Sequence, residues 1–341
     1  MPQETNNLLA PSTSEALTPL PLGTSGQLDH ESSILQTPQR RERTWLHVAL
    51  FLATVLTTMF WGRMHYAGFL ANFSSSELPE VSWIHGAWYS WTILAILGMH
   101  ELGHYYACRY YNIDASPPFF LPAPILTGTF GAVIRIRKRI PTKAILFDVG
   151  VAGPIAGFIV AVPTLFLGLW LSRITQLPSG DTSFITLGEP LLFQAAAWLV
   201  WGSTPEGYSI NLHPMGFAAW FGLFATALNL FPIAQLDGGH ISYAAFGRKS
   251  TTVTVVSLIA LVGLGLIALV GLGFVTPSWF VLVSLLLIMM IVSGGLRHPP
   301  TLDEHVPLDR TRLWVAVAAA IIFALCFTPA PFDIGGLTDV P

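Results

Sequence analysis

The stretch Trp83-Ile-His-Gly-Ala-Trp-Tyr-Ser-Trp-Thr-Ile-Leu-Ala-Ile-Leu-Gly-Met99 is apolar almost throughout, and it runs directly into His100-Glu101-Leu102-Gly103-His104. Two metal-binding side chains and a carboxylate therefore sit in sequence that a bilayer ordinarily rejects, and ionisable groups within membrane segments are costly and tied to function. On a helix, positions four apart lie one above the other, so both imidazoles can reach a single Zn²⁺. Glu101, on an adjacent face, is placed to act as a general base toward an attacking water. The plain structural alternative is a helix end with interfacial histidines beside a snorkelling acid.

Composition sets the class. The 341 residues are 52% hydrophobic and only 10% charged, with a mean hydropathy of +0.60, whereas soluble domains carry about 25% charged residues. Apolar runs that can cross a hydrocarbon core about 30 Å thick occur at Trp45 to Trp61, Trp83 to Tyr105, Ala144 to Leu171, Pro214 to Pro232, Thr252 to Phe274, Trp279 to Val292 and Leu313 to Phe327. The expected fold is an all-α polytopic membrane protein of about seven transmembrane helices. Residues 1–43, rich in Ser, Thr, Pro and Gln at the expense of aromatics, cannot bury a core and are expected to be a disordered cytoplasmic tail. They lack the charged and short apolar regions of a cleaved signal peptide. Residues 44–330 form the expected membrane domain, and 331–341 a short C-terminal tail.

The cations orient the chain. With the N-terminus in the cytosol, seven crossings leave fourteen of the sixteen Lys and Arg residues inside and only Arg63 and Arg173 outside, the bias that cytoplasmic loops carry. The His-Glu-x-x-His helix end then faces the cytosol. A net charge of −3 points to no nucleic-acid partner. The basic run Arg135 to Arg139 alternates with Ile134 and Ile136, as suits a hairpin touching lipid headgroups. Cys108 and Cys326 have neither metal-ligand nor disulfide spacing and read as small buried apolar residues.

Two histidines leave a catalytic Zn²⁺ short of a ligand. Asp237 is the candidate third. It lies in Asn229-Leu-Phe-Pro232-Ile-Ala-Gln-Leu236-Asp237-Gly238-Gly239-His240, at the cytoplasmic end of the fourth span, the same depth and side as His104. Taken alone, Asp237 would be an Asp-Gly turn or a helix cap.

With these motifs in place, the chain resembles the site-2 protease family of intramembrane zinc metalloproteases. His100 to His104 resembles the family's first motif, and Asn229 to Pro232 with Leu236 to Gly239 its Asn-x-x-Pro and Leu-Asp-Gly motif. Gly150-Val-Ala-Gly153-Pro154-Ile-Ala-Gly157 is similar to the Gly-Pro-x-Ala-Gly span of the family core, and the likeness is strongest over residues 83–246. The resemblance implies that His100, His104 and Asp237 hold zinc, that Glu101 is the general base and then acid, and that Asn229 orients substrate or stabilises the oxyanion. The alternative for Asn229 is a polar residue joining helices. Gly153 and Gly157 form a Gly-x-x-x-Gly pair suited to close helix packing. His298-Pro299-Pro300-Thr301 with Asp303 and Glu304 is also similar to bacterial members, with no chemistry assigned, and the implied location is a bacterial inner or cell membrane.

Ser116 to Pro141 starts too rich in proline for a helix and turns strand-like from Phe130 to Ile136, behind Gly128 and Gly131. It reads as a membrane-associated β-hairpin or re-entrant segment. The family likeness places such a sheet beside the active site, which makes Gly128, Phe130 and Gly131 candidate substrate-binding residues. A helical peptide hides its carbonyls, so a protease must unwind it and can hold it open by strand addition. Leu191 to Trp201 is a candidate interfacial helix or gate on the outer side. His47, His65, His85 and His213 read as interfacial, and His240 as a local structural group or one that supports the site.

Three functions compete: an endopeptidase acting on transmembrane segments of other proteins, a transporter carrying a metal ion, and a catalytically dead relative that only binds membrane proteins. Transport calls for ionisable residues strung through several spans, and the spans outside the motif are nearly bare of them. A dead relative would have lost Glu101 or a ligand. The sequence favours the endopeptidase, with Zn²⁺ as cofactor and the lipid bilayer and transmembrane proteins as partners, and leaves oligomeric state and substrate open.

Overall fold

Backbone polar groups must be satisfied internally within a bilayer, and helices are the main element by which the described residues do so. The computed structural model describes residues 44–72, 79–177, 184–233, 235–272, 277–292 and 298–335. The proposed disordered tail lies outside the described residues. In order, the helices are α1 (Thr44–Ala71), α2 (Ala87–Tyr110, entered through a 3₁₀ turn at Trp83–Gly86), α3 (Lys143–Trp170), α4 (Leu191–Trp201), α5 (Pro214–Leu230), α6 (Asp237–Phe246), α7 (Ser250–Leu272), α8 (Pro277–Val292) and α9 (Arg310–Cys326). Each of the seven apolar runs falls mainly on one of them, residues 273 and 274 lying outside the described residues.

Three helical stretches are by length and apolarity able to cross a membrane: Thr44–Ala71, Lys143–Trp170 and Asp237–Leu266. Leu191–Trp201, Pro214–Leu230 and Leu282–Val292 are shorter apolar helices. The described residues thus establish a mainly helical, membrane-type architecture with fewer long spans than the seven expected.

Local chemistry sets the helix ends. Thr142 caps α3 by accepting from the Ile145 N–H at 3.3 Å, and Asp309 caps α9 by accepting from the Arg312 N–H at 3.0 Å, each neutralising an otherwise orphaned donor. Pro214 at the start of α5 needs no hydrogen-bond partner. After α2, Asn112 takes the left-handed conformation, φ 54°, that ends many helices.

α3 is the central helix and packs on α2, α4, α5, α6 and α9. The main core lies around fully buried Leu165, Leu169, Ala196, Trp220 and Leu223. Trp220 donates its indole N–H to the Gly188 carbonyl at 2.7 Å, so burying the ring leaves no orphaned donor. α4 contributes buried Phe193, Ala196 and Ala197 to this core, so one face of the candidate outer-surface helix is packed inward. Cys108 and Cys326 are both fully buried, as expected.

The hairpin read from Ser116 to Pro141 is present. β1 (Phe119–Pro122) pairs antiparallel with β2 (Thr129–Val133), Phe119 opposite Val133 and Leu121 opposite Gly131, with an irregularity between Leu121 and Pro122. Polar side chains of the helices pin it. Thr57 donates to the Gly128 carbonyl at 2.6 Å, Tyr89 to the Thr127 carbonyl at 2.9 Å, and the His65 ring meets the Leu126 carbonyl at 2.9 Å. These bonds give carbonyls of a non-helical segment their partners.

Two further strand pairs had no signal in the sequence. β3 (Arg173–Gln176) pairs with β5 (Tyr208–Asn211), and β4 (Phe184–Leu187) with β6 (Phe332–Gly335). Part of the stretch expected to be a C-terminal tail is therefore a strand.

α9 is tied to α3 by charge. Arg312 donates from Nε to Asp148 Oδ1 at 2.8 Å and from a terminal nitrogen to Oδ2 at 2.5 Å, and the Tyr111 hydroxyl donates to Oδ2 at 2.5 Å. Such bidentate pairing fixes direction as well as distance. Asp148→Ala should destabilise the protein by about 1–3 kcal/mol, read as unfolding in detergent micelles. A double-mutant cycle with Arg312→Ala should show strong coupling; strictly additive losses would mean that the pair contributes nothing.

Candidate metal centre

Pro232 carries the geometry of the site. Proline cannot continue α5, and it forces the residue before it into an extended conformation. Phe231 accordingly has ψ 131°. The chain turns with Leu236 N–H bonded to the Ile233 carbonyl at 2.9 Å and starts α6 at Asp237. A carboxylate in the first turn of a helix is favoured by the helix dipole. The close return also requires Gly238, where a Cβ would strike the Leu230 carbonyl. Asn229, in the last turn of α5, and Asp237, at the start of α6, are thereby brought to one place.

There α2 meets them. His100 Nε2 lies 3.2 Å from Asp237 Oδ2, His104 Nε2 lies 3.3 Å from Asp237 Oδ1, and the two imidazole nitrogens are 3.1 Å apart. Side chains separated by more than 130 positions converge on a single point, and they are the one such group of His, Cys, Asp and Glu among the described residues. His104 donates from Nδ1 to the Val149 carbonyl at 2.7 Å. A carbonyl can only accept, so Nδ1 holds the proton and Nε2 turns its lone pair toward the cluster.

Those distances test the fit to a metal. A tetrahedral Zn²⁺ with arms of about 2.0–2.2 Å sets its ligand atoms about 3.3–3.6 Å apart. The three observed edges, 3.1 to 3.3 Å, lie at or just under the short end of that range. Electron-rich atoms facing one another so closely need a cation or shared protons among them, and the donor set of two imidazoles and a carboxylate suits zinc.

α3 makes room for this cluster. Gly153 faces His104, whose ring a Cβ would overlap, and a Cβ at Gly157 would lie 3.1 Å from the His100 Cβ. One turn earlier, a Cβ at Gly150 would lie 2.9 Å from the His240 Cβ. The glycines expected to serve helix packing do so against the candidate ligands themselves.

Glu101 is buried beside the histidines, 9% exposed, and the backbone N–H of Ile134, just past β2, is directed at its carboxylate. The hairpin and Glu101 are thus neighbours. The Asn229 amide nitrogen lies 3.4 Å from His100 Nε2, so Asn229 belongs to the cluster. The three hairpin candidates differ. Gly128, φ 69°, is pressed against Thr57 and Thr58 of α1, whereas Phe130 is 67% exposed and a Cβ on Gly131 would meet open space.

His240 and the His298 loop meet behind Asp237. His298 donates from Nδ1 to the Pro299 carbonyl at 2.6 Å, and its Nε2 lies 2.7 Å from His240 Nδ1. Burial pushes the His298 imidazole below its ordinary range, which keeps Nε2 an acceptor for His240. The loop is held further by Thr301 N–H donating to the Tyr243 hydroxyl at 3.2 Å and by Lys143 N–H donating to Asp303 Oδ1 at 2.8 Å. The motif without assigned chemistry buttresses the helix that starts at Asp237. Three further histidines make local contacts: His47 stacks on Phe119 with ring centroids 3.7 Å apart, His85 meets the Ser82 carbonyl at 3.3 Å, and His213 caps α5.

The backbone groups of Val149 and Ile134 and the His240–His298 contact were not foreseen. Backbone donors and acceptors leave no mark in a sequence. Gly153→Ala should displace the His104 ring and lower divalent-metal content in the purified protein several-fold. Gly98→Ala, whose Cβ would find only Phe120 at 3.4 Å, should leave metal content unchanged; equal metal in both variants would remove the role given to the α3 glycines.

Comparison with known proteins identifies the family. Residues 88–270 match the family model of Peptidase family M50. The chain is 30% identical over 249 residues to the probable zinc metalloprotease EGY2, chloroplastic, of Arabidopsis thaliana, a match covering 71% of this chain and 41% of that relative. To the protein of the same name in Oryza sativa subsp. indica it is 31% identical over 277 residues, 79% of this chain and 47% of the relative. A 34% identity over 180 residues links it to the probable zinc metalloprotease EGY1, chloroplastic, of Oryza sativa subsp. japonica, covering 51% of this chain and 30% of that protein. The chain spans less than half the length of these relatives. With more than half of its residues inside the family match, the chain belongs to peptidase family M50, the site-2 protease family.

Proposed function

We propose that this chain is an intramembrane zinc metalloendopeptidase that hydrolyses peptide bonds in or near transmembrane segments of other membrane proteins. One observation carries the proposal: the two imidazoles of α2 and the carboxylate of Asp237 meet at close to the spacing of a zinc tetrahedron, with the buried Glu101 beside them.

In this reading His100, His104 and Asp237 hold Zn²⁺. Bound there, the ion would polarise the scissile carbonyl and bring the pKa of water near neutrality. Glu101 accepts the proton of the attacking water and passes it to the leaving amine. Its burial and the facing Ile134 N–H hold the carboxylate in one place for both transfers. Asn229, 3.4 Å from His100, directs its amide toward the oxygen that gains charge, the electrostatic role of an oxyanion donor. Val149 holds the His104 ring in the tautomer that leaves Nε2 free. The two-stranded β1–β2 sheet leaves β2 an unpaired edge, along which an unwound substrate can add as a strand past Phe130 and Gly131. That alignment carries the substrate backbone toward Ile134 and Glu101.

Seven crossings formed by α1, α2, α3, α5, α7, α8 and α9, with the N-terminus in the cytosol, put the metal centre at the cytosolic side. The distribution of cations supports this orientation, and residues 44–330 then constitute the protease domain, with its catalytic core at about 83–246. The membrane is a bacterial-type cell membrane or a chloroplast membrane of related origin.

Glu101→Gln should retain metal at the wild-type level yet cut a co-expressed transmembrane substrate about 10²- to 10⁴-fold more slowly. Asp237→Ala should lose both metal and cleavage, and proteolysis that survives in the Gln variant would refute the mechanism. For orientation, the buried Cys108 and Cys326 allow single-cysteine mapping. Arg173→Cys should react with an impermeant maleimide in intact cells and Lys138→Cys only after permeabilisation; the opposite pattern would invert the topology.

A further inference from the structure

Between α6–α7 and α9 lies a cavity of about 540 Å³ that takes no part in the chemistry above. Its walls are apolar, among them Val253, Ala260 and Leu264 of α7 and Leu313, Ala320 and Phe327 along α9. From Leu313 to Phe327 the lining extends about 21 Å at roughly 1.5 Å per residue. The cavity opens sideways, since Leu264, Leu313 and Val317 are 49%, 42% and 48% exposed. Its inner wall includes Leu230, Phe231 and Gly238, the segment that presents Asp237.

A cavity of this volume lies within the roughly 300–1,000 Å³ of small-molecule sites, and its long, narrow apolar lining suits one acyl chain.

Charge marks one end. The Arg248–Glu304 pair, 3.1 Å, ties the turn before α7 to the loop before α9, and Lys249 and Arg310 stand at those two helix starts, three or four residues before the lining residues Val253 and Leu313. Their neighbours Arg248 and Arg312 are paired, with Glu304 and with Asp148 and Asp309 respectively. Lys249 and Arg310 make no ion pair among the described residues and are exposed.

We propose that this groove binds one anionic phospholipid, with an acyl chain along α9 and the phosphate headgroup at Lys249 and Arg310. A tail entering from the bilayer gains no hydrophobic free energy, because lipid is as apolar as the groove. Headgroup charge therefore supplies the selectivity and groove shape the residence. The occupant touches the Leu230–Gly238 segment, so it braces the turn that carries Asp237. The site stands independently of the peptidase reading.

The test is native mass spectrometry of the purified full chain in detergent, titrated with phosphatidylglycerol and with phosphatidylcholine of the same tails. One phosphatidylglycerol should bind in clear preference. Lys249→Gln with Arg310→Gln should weaken it about thirtyfold, about 2 kcal/mol for two cations beside an anionic headgroup. Ala316→Trp with Ala320→Trp, filling the groove with both charges intact, should weaken it to a similar extent; if that variant fails to fold, the exposed Gln pair still decides. Equal binding of the two lipids, an unaltered affinity in the Gln pair, or undiminished phosphatidylglycerol binding in a folded Trp variant would overturn the site.

Discussion

The closeness with which α3 passes α2 and α6 is the constraint on which the rest depends. Three small positions, Gly150, Gly153 and Gly157, clear the volume in which His240, His104 and His100 stand, and the helix backbone at Val149 supplies the carbonyl that fixes the His104 tautomer. A central helix with ordinary side chains at these positions would hold its neighbours several ångströms farther off, and the ligand atoms would not meet. In a membrane, where apolar burial gives helices no reason to associate, this kind of close approach and the polar contacts it permits are what drive packing.

Polar groups at membrane depth are costly unless satisfied, and those of the site are satisfied by one another and by backbone. The cluster's two imidazoles and carboxylate face inward, Glu101 has the Ile134 N–H before it, and His240 leans on His298. These contacts join four parts of the chain: the metal-bearing helix, the glycine helix, the Asn229–Asp237 turn and the loop after α8. The hairpin is fixed by the same economy, its carbonyls taken up by Thr57, Tyr89 and His65. A rigid β2 edge beside a buried acid suits chemistry on an extended backbone.

Much of this was legible in the chain. The His-Glu-x-x-His spacing fixes two imidazoles on one helix face whatever surrounds it. Pro232 and the Asp237-Gly238-Gly239 run announce a break and a new helix start, and the apolar runs each became a helix. The short hairpin too was announced, by Pro117, Pro118, Gly128 and Gly131. By contrast, β3–β5 and β4–β6 are four-residue pairings between distant segments, and such short strands have no periodicity to read. The His298 loop was visible as a motif but not as a contact, because its partner His240 is 58 positions away.

What sequence alone determined was local: which residues are apolar enough to enter a membrane, where helices start and break, and which side chains have metal-binding chemistry. What tertiary structure decided was coincidence in space. That Asp237 rather than another acid meets the two histidines, that Asn229 reaches His100, and that a lipid-sized groove backs the same turn all follow from how α2, α3, α6 and α9 pack. Those distances arise from contacts between residues far apart in the chain, whose spacing no local pattern encodes.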